Sequence, residues 1–382
     1  MQPLRVLWLC GPPGAGKSTV AWRLFTESAQ RGHPTGYLDI DQLGMRLPTP
    51  ADDPGNTLIK AANLAVVLAN YRAAGAQQVL VSGVALPDEV PAFEAAGADI
   101  TWVRLEADRA QLHTRFLGRD GQSELLPDLD QHAATLAQSD FAEVTIDTTG
   151  LTVAAVVKRV QDSLAHWSQV ADRDRPKIIG KPPAVSRLSG AANAQPRVLL
   201  LCGPRAVGTS TVGWETFQHL WGLRTSAFVD LAQVGFVGEA SVAPLGRHRL
   251  RAHNLAAMAR NFHQGGATVV IAVGSILHSA DLRAYSEALA PGTLTVGRLR
   301  ATSDHLRQRV AARTAVRGGP HLAGDCLRGR AVAELGPVID QALAESTLLD
   351  RSGIGDVVID TSGRAPTDCA DELLDAVGLT SR

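Results

Sequence analysis

The stretch Gly11-Pro12-Pro13-Gly14-Ala15-Gly16-Lys17-Ser18-Thr19 constrains the fold of this chain more than any other. It fits G-x-x-x-x-G-K-[ST], the phosphate-binding P-loop. The apolar run Leu4 to Cys10 before it reads as a buried strand. Val20, Ala21, Leu24 and Phe25 after it are spaced for a helix. Strand, glycine loop and helix N-terminus are the context the motif requires. The glycines let backbone N–H groups turn inward around an anion. The helix behind them adds the positive end of its dipole. Lys17 supplies a mobile charge for the β- and γ-phosphates, and the Ser18 hydroxyl is placed to ligate Mg2+. The expectation is that Gly11 to Thr19 bind ATP with Mg2+.

The chain then repeats itself. Val198 to Cys202 followed by Gly203-Pro204-Arg205-Ala206-Val207-Gly208-Thr209-Ser210-Thr211 echoes the first strand and loop 192 residues later. Tyr37-Leu38-Asp39-Ile40-Asp41-Gln42 returns as Phe228-Val229-Asp230-Leu231-Ala232-Gln233, 191 residues on. Asn63-Leu64-Ala65 returns as Asn254-Leu255-Ala256, and the stretch Val144 to Gly150 as Val357 to Gly363. Matches in the same order predict two copies of one domain. They are placed at 1–166 and 197–382, and the second carries extra residues before its last strand. Between them 167–196, with scattered prolines and low hydrophobicity, reads as a linker. At 382 residues the chain has room for two such domains.

Five strands are expected in the first copy: Leu4–Cys10, Gly36–Asp41, Gln78–Ser82, Ile100–Glu106 and Glu143–Asp147. They are apolar runs rather than alternations, as in a parallel sheet covered on both faces. Helices are expected over Lys17–Arg31, Thr57–Ala74, Pro87–Ala96, Arg109–Gly118 and roughly Gln131–Ser139. The alternation predicts an α/β, doubly wound sheet. Such sheets bind ligands beyond the carboxyl ends of their strands. The loop, Asp39, Asp41, Ser82 and Gly83 should therefore meet at one edge. On a strand, Asp39 and Asp41 would face the same way. One carboxylate could orient a Mg2+ hydration shell and the other accept a proton from an acceptor hydroxyl. Asp39 is favoured as the base, and the choice stays open. Arg46 and Asn63 are candidates for holding the acceptor. Arg115 and Arg119, four apart on a predicted helix, share a face.

The second copy reads as degenerate. Thr209 stands where the first copy has Lys17, Ala206 where it has Gly14, and Ala232 where it has Asp41. A short neutral threonine cannot reach the β/γ-phosphates, so no phosphoryl transfer is expected there. A structural role, on the first domain or in a homo-oligomer, is the expectation. Arg205, Arg309, Arg313 and Arg317 keep this half basic around its loop.

A net charge of −1 argues against a general nucleic-acid binder. No run approaches a membrane span, and the first strand starts too early for a signal peptide. Cys10, Cys202, Cys326 and Cys369 form no C-x-x-C pair, so neither disulfides nor a zinc site is expected, and the reading is cytoplasmic.

The loop, the Tyr37-Leu38-Asp39-Ile40-Asp41 stretch and Arg104-Leu105 leading to Arg115 and Arg119 together resemble the P-loop kinase family of small phosphotransferases. This family includes nucleotide, gluconate and adenylylsulfate kinases and chloramphenicol phosphotransferase. The resemblance covers most of 1–166 and, more weakly, 197–382. It implies a parallel sheet in the order 2-3-1-4-5, ATP-dependent phosphoryl transfer to a small acceptor, and a lid whose arginines, here Arg115 and Arg119, stabilise the transferring group. The acceptor stays open. A nucleotide-binding regulatory or scaffold ATPase is the second reading, and a polynucleotide 5′-kinase the third.

Overall fold

A computed structural model of the chain describes residues 4–119, 122–170, 196–238, 244–315, 323–325, 331 and 334–380. Most of the expected linker (171–195), Arg317 and Cys326 lie outside the described residues.

The N-terminal half runs β1 (Arg5–Cys10), α1 (Lys17–Gln30), β2 (Thr35–Asp39), β3 (Arg46–Leu47), α2 (Thr57–Ala73), β4 (Gln78–Ser82), α3 (Val90–Glu94), β5 (Asp99–Glu106), α4 (Arg109–Leu117), α5 (Leu126–Ala137), β6 (Val144–Asp147) and α6 (Val153–Val170). The C-terminal half runs β7 (Arg197–Cys202), α7 (Thr209–His219), β8 (Ser226–Asp230), β9 (Phe236–Val237), α8 (Pro244–Gln264), β10 (Val269–Val273), α9 (Ser279–Ala288), β11 (Leu294–Arg300), α10 (Ser303–Ala315), α11 (Gly336–Ser352), β12 (Val357–Asp360) and α12 (Pro366–Ala376).

These strands form two six-stranded sheets, ordered β6-β5-β1-β4-β2-β9 and β12-β11-β7-β10-β8-β3. Within each sheet the five strands of one half are parallel. Counted within each half, their order is 2-3-1-4-5. The sixth strand comes from the other half. In the first sheet β9 runs antiparallel to β2, with Phe236 opposite Tyr37. In the second sheet β3 runs antiparallel to β8, with Arg46 opposite Ala227. This exchange departs from the expected layout, which kept every strand within its own copy. Two-residue strands are too short to leave a periodic signature. Their physical effect is to cover an edge that each sheet would otherwise present unpaired.

The hydrophobic core crosses between the halves in the same way. One cluster joins Trp8, Trp102 and Phe93 with Val229, Met258 and Phe262. A second fills the outer face of the C-terminal sheet and receives Met45 and Leu47 from the N-terminal half. A third lies under α1, whose Val20, Ala21, Leu24 and Phe25 are buried as their spacing predicts, and it receives Phe236 and Ala323 from the C-terminal half. Helices α2 and α8 face each other across the join, where three buried asparagines and the half-buried Asn70 exchange hydrogen bonds reciprocally. Asn261 Nδ2 donates to Asn63 Oδ1 at 3.0 Å, and Asn70 Nδ2 donates to Asn254 Oδ1 at 2.8 Å. Asn63 and Asn254 each also donate to a carbonyl, Leu43 O and Val234 O, both at 2.7 Å. All four side chains thus have partners in a setting where an unmet polar group is costly.

Element boundaries depart from expectation where side chains intervene. The second strand stops at Asp39, because its carboxylate accepts from Asp41 N at 3.1 Å and turns the chain into a 3-10 segment, Ile40–Leu43. Helix α3 is shorter than expected. Helix α5 begins at Leu126, with Pro127 in its first turn, where a missing N–H costs nothing. Helix α6 was not anticipated. Among the described residues no helix is long and apolar enough to cross a membrane. Cys10, Cys202 and Cys369 are buried free thiols, and burial pushes Cys10 and Cys202 up to about 12.

Candidate functional site

The glycine loop sits at the carboxyl end of β1 and heads α1. Gly11, Gly14 and Gly16 have φ of 139°, 85° and 94°, which side chains rarely adopt. Gly11 is required twice over, since a Cβ there would fall 2.1 Å from Leu105 O. Pro12, Gly14 and Ala15 are buried, Pro13 and Ser18 partly so, and Thr19 is exposed. The Lys17 Nζ donates to Pro12 O at 2.9 Å. Burial pulls its ammonium down to about 8, against the raising influence of Asp41 and Asp39.

Ser18, Asp39 and Ser82 converge from three elements. Ser18 Oγ and Ser82 Oγ donate to Asp39 Oδ2 at 3.1 and 3.0 Å. The Tyr37 hydroxyl shares a 3.0 Å hydrogen bond with Ser82 Oγ. Since Ser82 directs its proton at a carboxylate, the phenol is the donor in that pair. Burial, and then the Asp41 charge, push the Asp39 carboxyl up to about 6. Ser82 was expected at this edge without a chemical role, and Tyr37 was not among the candidates. The sheet order was the available signal, because it places β4 directly beside β2.

Asp41 does not share a strand face with Asp39, which corrects the reason given for pairing them. It lies in the 3-10 segment, its side chain is 57% exposed, and it meets Lys60 Nζ at 2.9 Å. It remains close enough for its charge to bear on Asp39.

Arg46 and Asn63 are corrections too. Arg46 is buried in β3, and its guanidinium donates to Asn56 Oδ1 and Gly265 O, so it fastens the second sheet instead of facing the loop. Asn63 is fully buried, with its amide committed to Leu43 and Asn261. Arg115 does reach the loop, with Nη1 3.4 Å from Gly14 O. Its firmer bonds go to Thr148 Oγ1 and O at 3.0 and 3.1 Å and to Gln111 Oε1 at 2.7 Å. It braces the loop against the end of β6. Arg119 follows α4, is exposed, and bears electrostatically on Lys17. Beside Pro12 opens a cleft of about 500 Å³, walled by Glu106, Asp108, Leu112, Ala134 and Thr149.

A family model described as an AAA domain matches residues 6–144. No curated protein matches the sequence. Among solved structures, the tunicamycin resistance protein of Deinococcus radiodurans is similar at 20% identity over 49% of this chain and 98% of its own, with a TM-score of 0.34. A gluconokinase from Sinorhizobium meliloti is similar at 18% identity over 45% of this chain and 98% of its own, with a TM-score of 0.33. A shikimate kinase from Acinetobacter baumannii, in complex with shikimate, is similar at 16% identity over 48% and 93%, with a TM-score of 0.33. The family match thus falls on the part of the chain that carries the glycine loop, and the strand–loop–helix geometry around Lys17 is that of a phosphate-binding loop.

Proposed function

We propose that the N-terminal half is a small-molecule kinase that transfers the γ-phosphoryl group of ATP to an acceptor hydroxyl. The observation that carries this reading is the Lys17–Ser18–Asp39–Ser82 cluster at the head of α1. A simple anion sensor would need the loop alone. A carboxylate held among hydroxyls beside the loop adds a group that can carry a proton or face a cation.

The residues present fit Mg2+. Ser18 Oγ and the Asp39 carboxylate are hard oxygen donors, and a carboxylate pushed up to about 6 by burial gains from a nearby cation. When bound, the ion would offset charge on the β- and γ-phosphates. The chain's own residues do the rest. The loop amides and Lys17 hold the phosphates, and Lys17 leaves Pro12 O to do so. Of the two carboxylates, Asp39 at the loop and Asp41 at the mouth, one serves the ion and the other accepts the acceptor's proton, and Ser82, steadied by Tyr37, fixes the orientation of Asp39. Asp41 and Lys60 stand at the mouth, where an acceptor hydroxyl enters. The cleft beside Pro12, with its alanine wall, takes the nucleotide base.

We further read the C-terminal half as a non-catalytic copy of the same domain, with boundaries near 1–166 and 197–382. The test is ATP consumption by the full chain against neutral, cationic and anionic hydroxyl compounds. Stimulation above the basal rate by one class supports the kinase. A basal rate that no acceptor moves, with nucleotide still bound, would overturn it in favour of a nucleotide-binding regulator.

A further inference from the structure

Four positions in the two halves correspond at a constant separation of 191 residues: Asp39 and Asp230, Asp41 and Ala232, Gly44 and Gly235, Lys60 and Arg251. The local structure agrees. Asp39 accepts from Asp41 N at 3.1 Å, and Asp230 accepts from Ala232 N at 2.9 Å. Both cations lie across their glycine. A Cβ on Gly44 would fall 2.5 Å from Lys60 Cγ, and one on Gly235 would fall 2.6 Å from Arg251 Nε. The turns match and the cationic stems take the same course. What differs is the carboxylate. Lys60 has that of Asp41, whereas Ala232 offers Arg251 nothing.

Arg251 makes no hydrogen bond or ion pair among the described residues, and its Nε is buried without an acceptor. Arg104 and Arg298 also bury an Nε, but their other nitrogens reach Leu136 O and Asp350 Oδ1. A guanidinium carries five donors, and leaving buried donors unmet is costly. The surrounding groups do not meet them. Asp230 directs Oδ1 at Ala232 N. Tyr285 OH is 3.2 Å from His248 Nδ1, and His248 Nε2 is 3.7 Å from Asp281. Tyr71 OH donates to Tyr37 O at 3.3 Å. Each bears on Arg251 by charge or lies near it, yet none accepts from it.

We propose that the seat beside Ala232 is an oxyanion site, in which a carboxylate or phosphate group of a small ligand accepts from Arg251. The ligand supplies from outside what Asp41 supplies from within. The N-terminal half shows that two acidic groups are tolerated there when a cation is present, because Asp39 and Asp41 lie together beside Lys60. Ala232 and Arg251 are both partly exposed, and the matching Asp41 side chain is 57% exposed. A planar guanidinium pairs with two oxygens at once, so an oxyanion suits Arg251 better than it would suit a lysine. The site lies in the half without a loop lysine and does not depend on the kinase reading.

The test uses full-length Lys17→Ala protein, which weakens phosphate binding at the first loop. It is titrated calorimetrically with inorganic phosphate and, separately, with succinate, at fixed ionic strength. Saturable binding is expected for at least one anion, and the two arms tell phosphate from carboxylate. Adding Arg251→Gln should weaken binding at least tenfold. Adding Ala232→Asp should do the same while keeping the cation and the fold, because it seats a carboxylate from within. Absence of saturable binding of either anion, or binding that Ala232→Asp leaves unchanged, overturns the proposal. If Arg251→Gln does not fold, Ala232→Asp decides.

Discussion

At the head of α1, Gly14 sits at φ 85° and Lys17 reaches back to Pro12 O; at the head of α7, Ala206 sits at φ 64° and Thr209 occupies the lysine's place. The second loop thus keeps the backbone course of the first without its lysine and with an alanine held in a left-handed conformation. The bracing repeats as well. Arg309 donates to Val207 O and to Thr361, as Arg115 does to Gly14 O and Thr148. A brace retained where the lysine is gone is a matter of loop shape, which argues for reading Arg115 first as a support. The halves differ more in what covers the loop. In the C-terminal half, Arg205 N donates to the buried Glu345 of α11 at 2.7 Å, and Ala206 packs with Val310, Leu335 and Val338. In the N-terminal half, the matching side of Pro12 borders the cleft along α5. One loop is walled in by its own chain, and the other faces a space.

The sharpest way to break this comparison is to exchange the loop residues. Lys17→Ala should lower turnover by about 10²–10³-fold, the usual loss on removing one charge-stabilising donor. Thr209→Ala should leave turnover unchanged. Steady-state rates of the two variants decide it, and equal losses would mean that both loops serve the reaction.

Asp39→Asn should lower turnover by about 10²-fold while making the protein less sensitive to pH. The sign follows from the raised carboxyl. A group whose folded pKa, about 6, lies above its unfolded value of 3.8 contributes stability below the unfolded value, and that contribution is lost as pH rises through 6. Denaturant melts at pH 4 and pH 7.5 should therefore show wild type losing ground to Asp39→Asn at the higher pH. A variant that is less stable at pH 7.5 by the same margin as at pH 4 would contradict this.

Across the join, Asn261→Ala strands the buried Asn63 Oδ1 and should cost about 1–3 kcal/mol. Asn70→Ala should do the same to Asn254. The Asn63/Asn261 double mutant should show coupling in chemical denaturation, whereas Asn261 with Asn70 should be closer to additive.

The smallest expected effect tests the loop backbone itself. Ala206→Gly relieves a left-handed alanine, worth about 1–2 kcal/mol, but adds unfolded-state freedom worth about 0.5–1 kcal/mol. A net gain of a few tenths to about 1 kcal/mol is expected. Gly14→Ala should be destabilising instead, because its Cβ would fall 2.9 Å from Leu112 O. Equal shifts in the two variants would mean that the loops are not built alike.

Much of this was legible in the chain. Apolar runs between glycine and proline breaks marked the five long strands of the first half, because each signal is local, the repeat carried that pattern to the second half, and the strand order came only with the resemblance to P-loop kinases. The loop identified itself by its spacing. What stayed hidden was non-local. Arg46 and Asn63 looked like polar residues near a site, and nothing within ten residues of either shows that their partners lie about 200 positions away, at Gly265 and Asn261. Ser82 was expected at this edge, but its hydroxyl contact with Tyr37 was hidden for the opposite reason. Both sit in plain apolar strands, and only the pairing of β2 with β4 joins their hydroxyls. Asp41 was misplaced by one carboxylate, since Asp39 ends its own strand by capping the turn that follows.

The exchange of β3 and β9 bears on how this chain can be divided. Residues 197–382 made alone would leave β8 without its outer neighbour and the apolar seats of Met45 and Leu47 open, so that fragment is a candidate for self-association in its own right. A single cut within 171–195 is another matter. Both crossed strands, the shared core and the paired asparagines would remain in place. The nicked polypeptide should elute as one particle under native conditions and fall into two pieces only in denaturant. The peptide bond joining the halves is then dispensable for cohesion, and two separate genes could encode the same object.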